Sequence, residues 1–416
     1  MSELVHRRAG LLRPLAERDF RLLWGGQAVS LVGDGVLTVA LAWQTLRLSS
    51  SPAALGLVLF ARAGPRFLFL LLGGVLSDRL PRRRVMLVAD VAQALAVGAI
   101  ALLAAGGELR LWHLVALGAV AGVASAFFLP ASTALTPELL RADLLLPANA
   151  LSTTSRVLAA DFAGPALGGL LIASFGTATA FAVDAASFVV SVATLAMLRA
   201  RPQPRPQSER DAGVLRDVGE GLAYARGQPW IWATLIVTAF ANFLVSGPLG
   251  VLLPVVVRRL GAGAGSLGLA YAAFGVGGGL TALLAGQLGV PRRRVTAMYC
   301  AWIPSGLLVA GLGMARTVPL AALLYGLVGV LFEFGNLIWA TLLQERVPTR
   351  VLGRVSSLDW LISVGLYPLG LAVAGPVAAA IGATAVLVGG GLLSIPITLA
   401  GLLWRGVRAA DRPPPG

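Results

Sequence analysis

Residues 81–85 read Pro-Arg-Arg-Arg-Val, and residues 291–295 read the same five letters, 210 positions later. Two further landmarks repeat after 211 residues, namely Gly164-Pro165 with Gly375-Pro376 and Pro137 with Pro348. These distances are about half of the 416-residue chain. Three landmarks in nearly the same register predict two tandem copies of one structural half.

Long apolar runs flank each copy of the pentapeptide. The chain is 57% hydrophobic and 12% charged, with a mean hydropathy of +0.82, whereas a soluble domain is about one-quarter charged. Runs of roughly 18–25 apolar residues are long enough to cross a bilayer as helices. About twelve such spans can be counted: residues 22–46, 53–77, 85–105, 111–135, 151–172, 177–198, 230–254, 266–288, 295–313, 318–343, 355–381 and 383–404.

We therefore predict an all-α integral membrane protein whose twelve transmembrane helices form two pseudo-symmetric six-helix halves. The halves are residues 1–198 and 230–416, the second ending in a short cytoplasmic tail, and residues 199–229 are a cytoplasmic linker. The linker begins with a proline-rich stretch that is predicted to be extended. Residues 214–227 mix apolar and charged side chains, which predicts a short amphipathic helix on the membrane face.

The basic charge is explained by membrane topology. All 33 basic residues are arginines, and the formal net charge is +14. If the N-terminus is cytoplasmic, 25 arginines lie at or near cytoplasmic segments and only five lie outside. This bias predicts a multi-pass protein of the inner (plasma) membrane with both termini cytoplasmic, in contact with anionic membrane lipids. Nucleic-acid binding is not expected, and the protein is expected to act as a monomer.

The sequence lacks the residues that several classes of function need. The single cysteine, Cys300, cannot form an internal disulfide or a cysteine-based metal site. The two histidines, His6 and His113, lie at a terminus and near a helix end, and there is no Gly-Lys-Ser/Thr loop for a nucleotide phosphate. We therefore expect neither an enzyme nor a bound cofactor or metal.

Two motifs resemble those of the major facilitator superfamily. Residues 74–83, Gly-Val-Leu-Ser-Asp-Arg-Leu-Pro-Arg-Arg, resemble the signature Gly-x-Leu-Ala-Asp-Arg-x-Gly-Arg-Arg/Lys between helices 2 and 3, with Pro81 in place of the second glycine. Residues 164–169, Gly-Pro-Ala-Leu-Gly-Gly, resemble the fifth-helix antiporter motif Gly-Pro-x-x-Gly-Gly. The resemblance covers nearly the whole chain. It implies the twelve-helix drug:proton antiporter branch, which includes macrolide-efflux and enterobactin-export proteins.

The first motif implies a conformational latch. Gly74 would let span 2 approach a neighbour closely. By resemblance, Asp78 faces the positive N-terminal end of span 11, where Arg354 is a possible partner. Arg79 completes the motif. The alternative for the motif arginines is plain topogenic charge.

The second motif implies a kinked, tightly packed fifth span. Pro165 removes a backbone hydrogen bond after Gly164, which predicts a bend. Gly168 and Gly169 would then permit tight contact with the other half of the molecule and a seal that favours exchange.

Charged residues inside spans are functional candidates, because a charge near mid-bilayer costs several kcal/mol unless it is paired or solvated. Six acids exceed three bases, so some carboxyl groups are expected to hold a proton at neutral pH; the set is Asp34, Asp90, Asp161, Asp184, Glu333 and Asp359 against Arg62, Arg66 and Arg156. Asp34 and Glu333 are the deepest by residue count, and we predict that they couple transport to protons. Asp90 and Asp359 lie close enough to a span end to be merely interfacial.

Arg62 is the predicted counter-ion of Asp34 or a contact for an anionic substrate. Counted along spans 1 and 2, the two residues lie at depths that differ by less than one turn. Aromatic and amide side chains are expected to line the rest of a substrate cavity. The candidates are Phe127, Trp339, Asn242 and Asn336.

The predicted function is proton-coupled efflux of a bulky, hydrophobic small molecule, such as a macrolide-like or other drug, by alternating access. Export of a siderophore or another endogenous metabolite is the alternative within transport. A polytopic membrane enzyme would need clustered nucleophiles or metal ligands, and a non-transporting receptor would not need the antiporter motif.

Overall fold

The structure is a computed structural model that describes residues 10–199, 214–289 and 291–411. These residues form helices joined by short connections, with no strand among them. Twelve of the helices in the described ranges are long and apolar enough to cross a membrane. The predicted fold class is therefore confirmed.

We label these membrane helices α1–α12 in chain order and name the segment between α6 and α7 the linker helix. The bounds of the first six are α1 Arg18–Leu48, α2 Pro52–Arg79, α3 Arg82–Ala105, α4 Leu111–Leu139, α5 Ala142–Phe175 and α6 Thr177–Ala196. The linker helix is Val214–Gly227. The bounds of the others are α7 Pro229–Arg259, α8 Ala264–Leu288, α9 Arg294–Gly313, α10 Val318–Arg346, α11 Thr349–Ser363 and Tyr367–Ile381, and α12 Ala383–Leu403.

The internal repeat is visible at two sharp connections. A single residue, Gly176, separates α5 from α6, and a single residue, Gly382, separates α11 from α12. Their φ angles are +84° and +91°, in the left-handed region that side chains disfavour. Both connections therefore need glycine, and they lie at corresponding places in the two halves of the sequence.

The chain divides into two compact units. The first comprises Met1–Ser50, Leu57–Pro204 and Ala262–Ala272, and the second comprises Ser51–Gly56, Arg205–Gly261 and Ala273–Gly416. The first residues of α2 thus belong to the second unit, and the first residues of α8 belong to the first unit. The domain bounds expected from the sequence remain predictions.

The second half of the linker helix packs on α11. Ala225 is fully buried, and Leu222 and Tyr224 contact the same apolar cluster, which includes Val351 and Val355 of α11. Gly221 lies against the backbone of Arg354, whose carbonyl oxygen would be 3.1 Å from an added Cβ. The predicted position of this helix on the membrane face stays a prediction. The proline-rich stretch before it lies outside the described residues.

Candidate functional site

Helix α1 carries glycines where it crosses α6. A Cβ placed on Gly33 would lie 2.5 Å from the Oδ1 atom of Asp184 and would overlap the hydroxyl of Ser187. A Cβ on Gly26 would overlap the hydroxyl of Thr194. Small residues at these points let α1 lie directly on the polar side chains of α6.

Asp34 follows Gly33 and forms an ion pair with Arg62 of α2. The Nη2 atom of Arg62 lies 2.8 Å from Oδ1 of Asp34, a hydrogen-bonded geometry. Side-chain exposure is 24% for Arg62 and 37% for Asp34. The ion pair predicted from residue depth is present in the first unit, and neither side chain is fully buried.

Two further carboxyl groups lie behind this ion pair. Asp184 of α6 is 0% exposed, and the charges that act on it are those of Asp34 and Arg62. Asp90 of α3 is 1% exposed, and its Oδ2 atom lies 2.6 Å from the hydroxyl of Ser191 on α6. Its side chain is therefore enclosed between α3 and α6, while its depth in the membrane stays a prediction.

Glu333 occupies the middle of α10, in the second unit. It is half-buried and lies on Gly278 of α8, where an added Cβ would be 2.8 Å from its Cγ atom. The missing side chain at Gly278 thus makes room for the stem of the glutamate. Asn336, one turn further along α10, is also half-buried.

A polar network surrounds Asp359 of α11. Its Oδ2 atom accepts a hydrogen bond of 3.0 Å from the indole nitrogen of Trp339, and its Oδ1 atom accepts one of 2.7 Å from Ser363. Asn242 donates to the carbonyl oxygens of Ser363 (2.8 Å) and Thr238 (3.1 Å). Trp339 and Asn242, both predicted cavity residues, therefore have partners within the second unit, and Trp339 is buried. Asp359 itself is half-buried.

Phe127, the aromatic predicted from α4, packs in the first unit. It contacts an apolar cluster that contains Leu23 and Met86, and its ring centroid lies 6.5 Å from that of Phe69.

The antiporter motif is preceded by a stretch of π-helix, Val157–Ala163. The N–H of Gly164 bonds to the carbonyl oxygen of Ala159, five residues earlier, so the helix widens just before Pro165. A second π-helical stretch, Asn242–Ser246, precedes Gly247-Pro248 in α7. In both helices the Gly-Pro step therefore follows a π-helical stretch, where the backbone hydrogen bonds span five residues instead of four.

Glycines and proline of this motif form close helix crossings. An added Cβ on Gly164 would lie 2.7 Å from the Cα of Gly35, and one on Gly168 would lie 2.9 Å from the Cα of Val36, both on α1. Gly169 instead meets α8, where the Cα of Gly268 would be 3.0 Å away, within the first unit. The predicted tight contact therefore involves α1 at Gly168 and α8 at Gly169.

The loop signature needs one correction. A Cβ on Gly74 would meet no described atom within 4 Å, so this glycine makes no close helix contact there. Its neighbour Gly73 does, since an added Cβ would lie 3.1 Å from the Cα of Phe127 on α4. A one-residue step turns the contact by about 100° around a helix, which is enough to move it off the packed face.

The other residues of the predicted latch are Asp78, Arg79 and Arg354. The side chain of Asp78 lies outside the described residues, and Arg79 ends α2 in an exposed position. Arg354 forms an ion pair with Glu220 of the linker helix. The latch itself stays a prediction.

The motif arginines also have structural partners that the sequence did not reveal. Arg82 lies 2.7 Å from Glu138 at the end of α4, and Arg83 donates a 2.7 Å hydrogen bond to the carbonyl oxygen of Leu195. The second contact reinforces the end of α6, where the carbonyl oxygen of Leu195 also accepts a 3.3 Å hydrogen bond from the N–H of Leu198.

The sequence matches the transmembrane secretion effector family over residues 9–411. The chain belongs to this family of the major facilitator superfamily. One relative, the enterobactin exporter EntS of Citrobacter koseri, is 28% identical over 398 residues, which cover 95% of this chain and 94% of the relative. The exporter of the same name from Escherichia coli O81 is 28% identical over 339 residues, 82% of this chain and 80% of its own.

Solved structures agree on the fold of this secretion effector. An auto-inhibited peptide transporter of the POT family has a TM-score of 0.72 at 13% identity, covering 93% of this chain and 96% of its own. A bacterial homologue of the human lysosomal transporter Spinster, inward-facing and occupied, has a TM-score of 0.69 at 14% identity, with coverage of 97% and 99%. The protein is thus a multi-pass membrane transporter, and it is not an enzyme.

Proposed function

We propose that this secretion effector exports a siderophore or a related endogenous metabolite across the inner membrane in exchange for protons. The observation that carries this proposal is the similarity to enterobactin exporters along 95% of the chain. Export of a macrolide-like drug, the first expectation from the sequence, becomes the second candidate. Its support is limited to the Gly-Pro-x-x-Gly-Gly pattern of the fifth helix.

The Arg62–Asp34 pair is the proposed centre of coupling in the first unit. Arg62 holds the carboxyl group of Asp34 in an ion pair of 2.8 Å. A siderophore presents oxygen donors for iron, and such donors are acidic, so the substrate can compete for the guanidinium. Once Arg62 turns to the substrate, Asp34 loses its counter-ion and takes up a proton.

Glu333 is the proposed coupling residue of the second unit. It is the deepest acid of α10 by residue count, and Gly278 leaves room for its stem to move. The polar network that includes Asp359, Trp339 and Asn242 lies in the same unit as Glu333. The proposed topology places both termini in the cytoplasm, with lipids around a monomeric carrier.

A secretion assay tests the substrate class. The chain is expressed in a strain that makes enterobactin but lacks its exporter, and enterobactin is measured in the medium and in the cells. We expect secretion to rise several-fold, with no change in the inhibitory concentration of a macrolide in a pump-deficient strain. Macrolide resistance without enterobactin secretion would reverse the order of the two candidates.

A further inference from the structure

The polar face of α6 is unusual for a helix in lipid. Asp184, Ser187 and Ser191 recur at steps of three and four residues, so they share one face. All three side chains are buried against neighbouring helices of the first unit. Such a face in hydrocarbon carries a desolvation cost and is a functional candidate by default.

Asp184 stands out within this face because half of its carboxyl group is unsatisfied. Its side chain is 0% exposed, and its Oδ2 atom has no hydrogen-bond partner among the described residues. The Oδ1 atom is 3.5 Å from the hydroxyl of Ser187, a long contact. A buried ionised carboxylate would need stronger partners than these, whereas a protonated carboxyl group needs fewer.

The charges around Asp184 lead to the same conclusion. The carboxyl group of Asp34 and the guanidinium of Arg62 both act on Asp184, and the carboxyl group of Asp34 also acts on Asp90. The ion pair of Arg62 is made with Asp34. The buried Oδ2 atom of Asp184 is therefore left without a partner of its own among the described residues.

From this geometry we propose that Asp184 is a second proton-binding residue of the carrier, placed behind the Asp34–Arg62 pair. In one arrangement Asp34 is ionised and Asp184 holds the proton. In the other, the proton has left the Asp184 oxygen and is bound to an Asp34 oxygen, while no other bond changes. The two carboxyl groups together carry a single negative charge in both arrangements, and the second is transient because an ionised Asp184 has no partner at Oδ2 among the described residues.

Asp90 is the next carboxyl group in a row of polar side chains that runs from Asp184 through Ser191. Ser191 lies two turns of α6 beyond Asp184, about 10 Å along the axis, and bonds to Asp90. Gln93 of α3 donates to the other oxygen of Asp90 at 3.4 Å. Asp90 lies about 12 Å from the start of α3, so this row of polar side chains extends toward that end of the first unit. On the proposed topology, that end faces the cytoplasm.

A proton fits this site better than a metal cation. Hard cations bind through several oxygen ligands. Gly33 lies so close to Asp184 and Ser187 that even a methyl group would overlap the serine hydroxyl. The space beside the carboxyl group is therefore small, while a proton needs none.

The inference rests on proton exchange as proposed above, and its test has one arm that needs no substrate. Infrared difference spectra of the purified, reconstituted protein are recorded across a pH titration, in the carbonyl-stretch region of protonated carboxyl groups. We expect Asp184→Asn to remove one such band. The matched control Asp161→Asn, which changes another embedded acid outside this face, should leave that band in place. A band that persists in Asp184→Asn overturns the proposal.

The second arm measures transport of enterobactin by the same proteoliposomes. We expect Asp184→Asn to lower accumulation driven by a pH gradient at least tenfold, while exchange of labelled for unlabelled enterobactin continues. Equal loss of both modes in a well-folded variant would assign Asp184 a structural role and overturn the inference. Stimulation by a sodium gradient without a pH gradient would overturn the proton as ligand.

The two arms separate the possible failures. If the wild type does not transport enterobactin, the proposed substrate is wrong, while the infrared band still decides whether Asp184 binds a proton. If Asp184→Asn does not fold, Asp184→Glu replaces it. This variant keeps a carboxyl group in a new position and should shift the band, and an unshifted band overturns the proposal.

Discussion

At the scale of single residues, the first unit pairs the charge of Asp34 with that of Arg62. Asp34 and Arg62 share a contact of 2.8 Å, and both remain partly accessible. An ion pair of this kind is easier to open than a fully buried one, because water compensates part of the lost attraction. Partial exposure therefore suits a pair that must open in each transport cycle.

Replacing Asp34 tests the coupling role directly. Asp34→Asn removes the titratable group and leaves Arg62 without its carboxylate, so we expect efflux against a gradient to fall at least about tenfold, equivalent to about 1.4 kcal/mol. The protein should still reach the membrane. Asp19→Asn, in the first turn of the same helix, is the matched control. The measurement is pH-gradient-driven efflux, repeated with Glu333→Gln. Full activity in both Asp34→Asn and Glu333→Gln would remove these residues from the coupling mechanism.

At the scale of helices, glycine determines which faces meet. Gly35 of α1 lies against the antiporter motif, where an added Cβ would be 2.7 Å from Cδ of Pro165 and 2.8 Å from the Cα of Gly164. Gly25 of the same helix has no described atom within 4 Å of an added Cβ. The pair offers a comparison of one substitution in two environments.

We expect Gly35→Ala to destabilise the first unit by about 1–3 kcal/mol, since backbone atoms must move to admit the methyl group. Gly25→Ala should be neutral or slightly stabilising, because alanine favours a helix by about 0.5–1 kcal/mol over glycine. Thermal unfolding of the detergent-purified variants, followed by the loss of the monodisperse peak, measures the difference. Equal Tm values for the two variants would contradict the packing of α1 on α5.

The linker helix gives a second test at this scale. Its ion pair between Glu220 and Arg354 is partly exposed, with side-chain exposures of 41% and 33%. An exposed pair contributes at most about 1 kcal/mol, so Glu220→Gln should change little. Ala225 is fully buried against α11, so Ala225→Glu should detach the helix.

Hydrogen exchange reports on that detachment. We expect Ala225→Glu to increase exchange in residues 214–227, while Glu220→Gln leaves it near the wild-type rate. If Glu220→Gln also increased exchange strongly, the ion pair rather than apolar packing would hold the linker helix.

At the scale of the whole molecule, the sequence predicted what depends on length, composition and repetition. Twelve spans, their approximate bounds and the depth match of Asp34 with Arg62 all follow from the rise of a helix per residue. Which face of each helix packs inward could not be predicted in the same way. In lipid both the inner and the outer faces are apolar, so periodicity carries little information.

That limit accounts for the details that the sequence left open. The motif named Gly74 as the packing glycine, although Gly73 makes the close contact with α4. The enclosure of Asp90 between α3 and α6 depends on which helix faces pack inward. The serines on the same face as Asp184 were a detectable signal at steps of three and four residues. Amphipathicity indicated an apolar face on the linker helix but did not identify α11 as its neighbour.

The orientation of the whole chain in the membrane is the remaining prediction. Twenty-five of the 33 arginines lie on one side if the N-terminus is cytoplasmic. Translocating that many charges would be far costlier than translocating the five on the opposite side. In a Cys300→Ser background, we therefore expect Glu108→Cys and Arg316→Cys to react with a membrane-impermeant maleimide on intact cells. Arg141→Cys should react only after the membrane is opened. All three positions are exposed ends of helix connections, so poor access cannot imitate the expected pattern. The opposite pattern would invert the predicted topology and place both termini outside the cytoplasm.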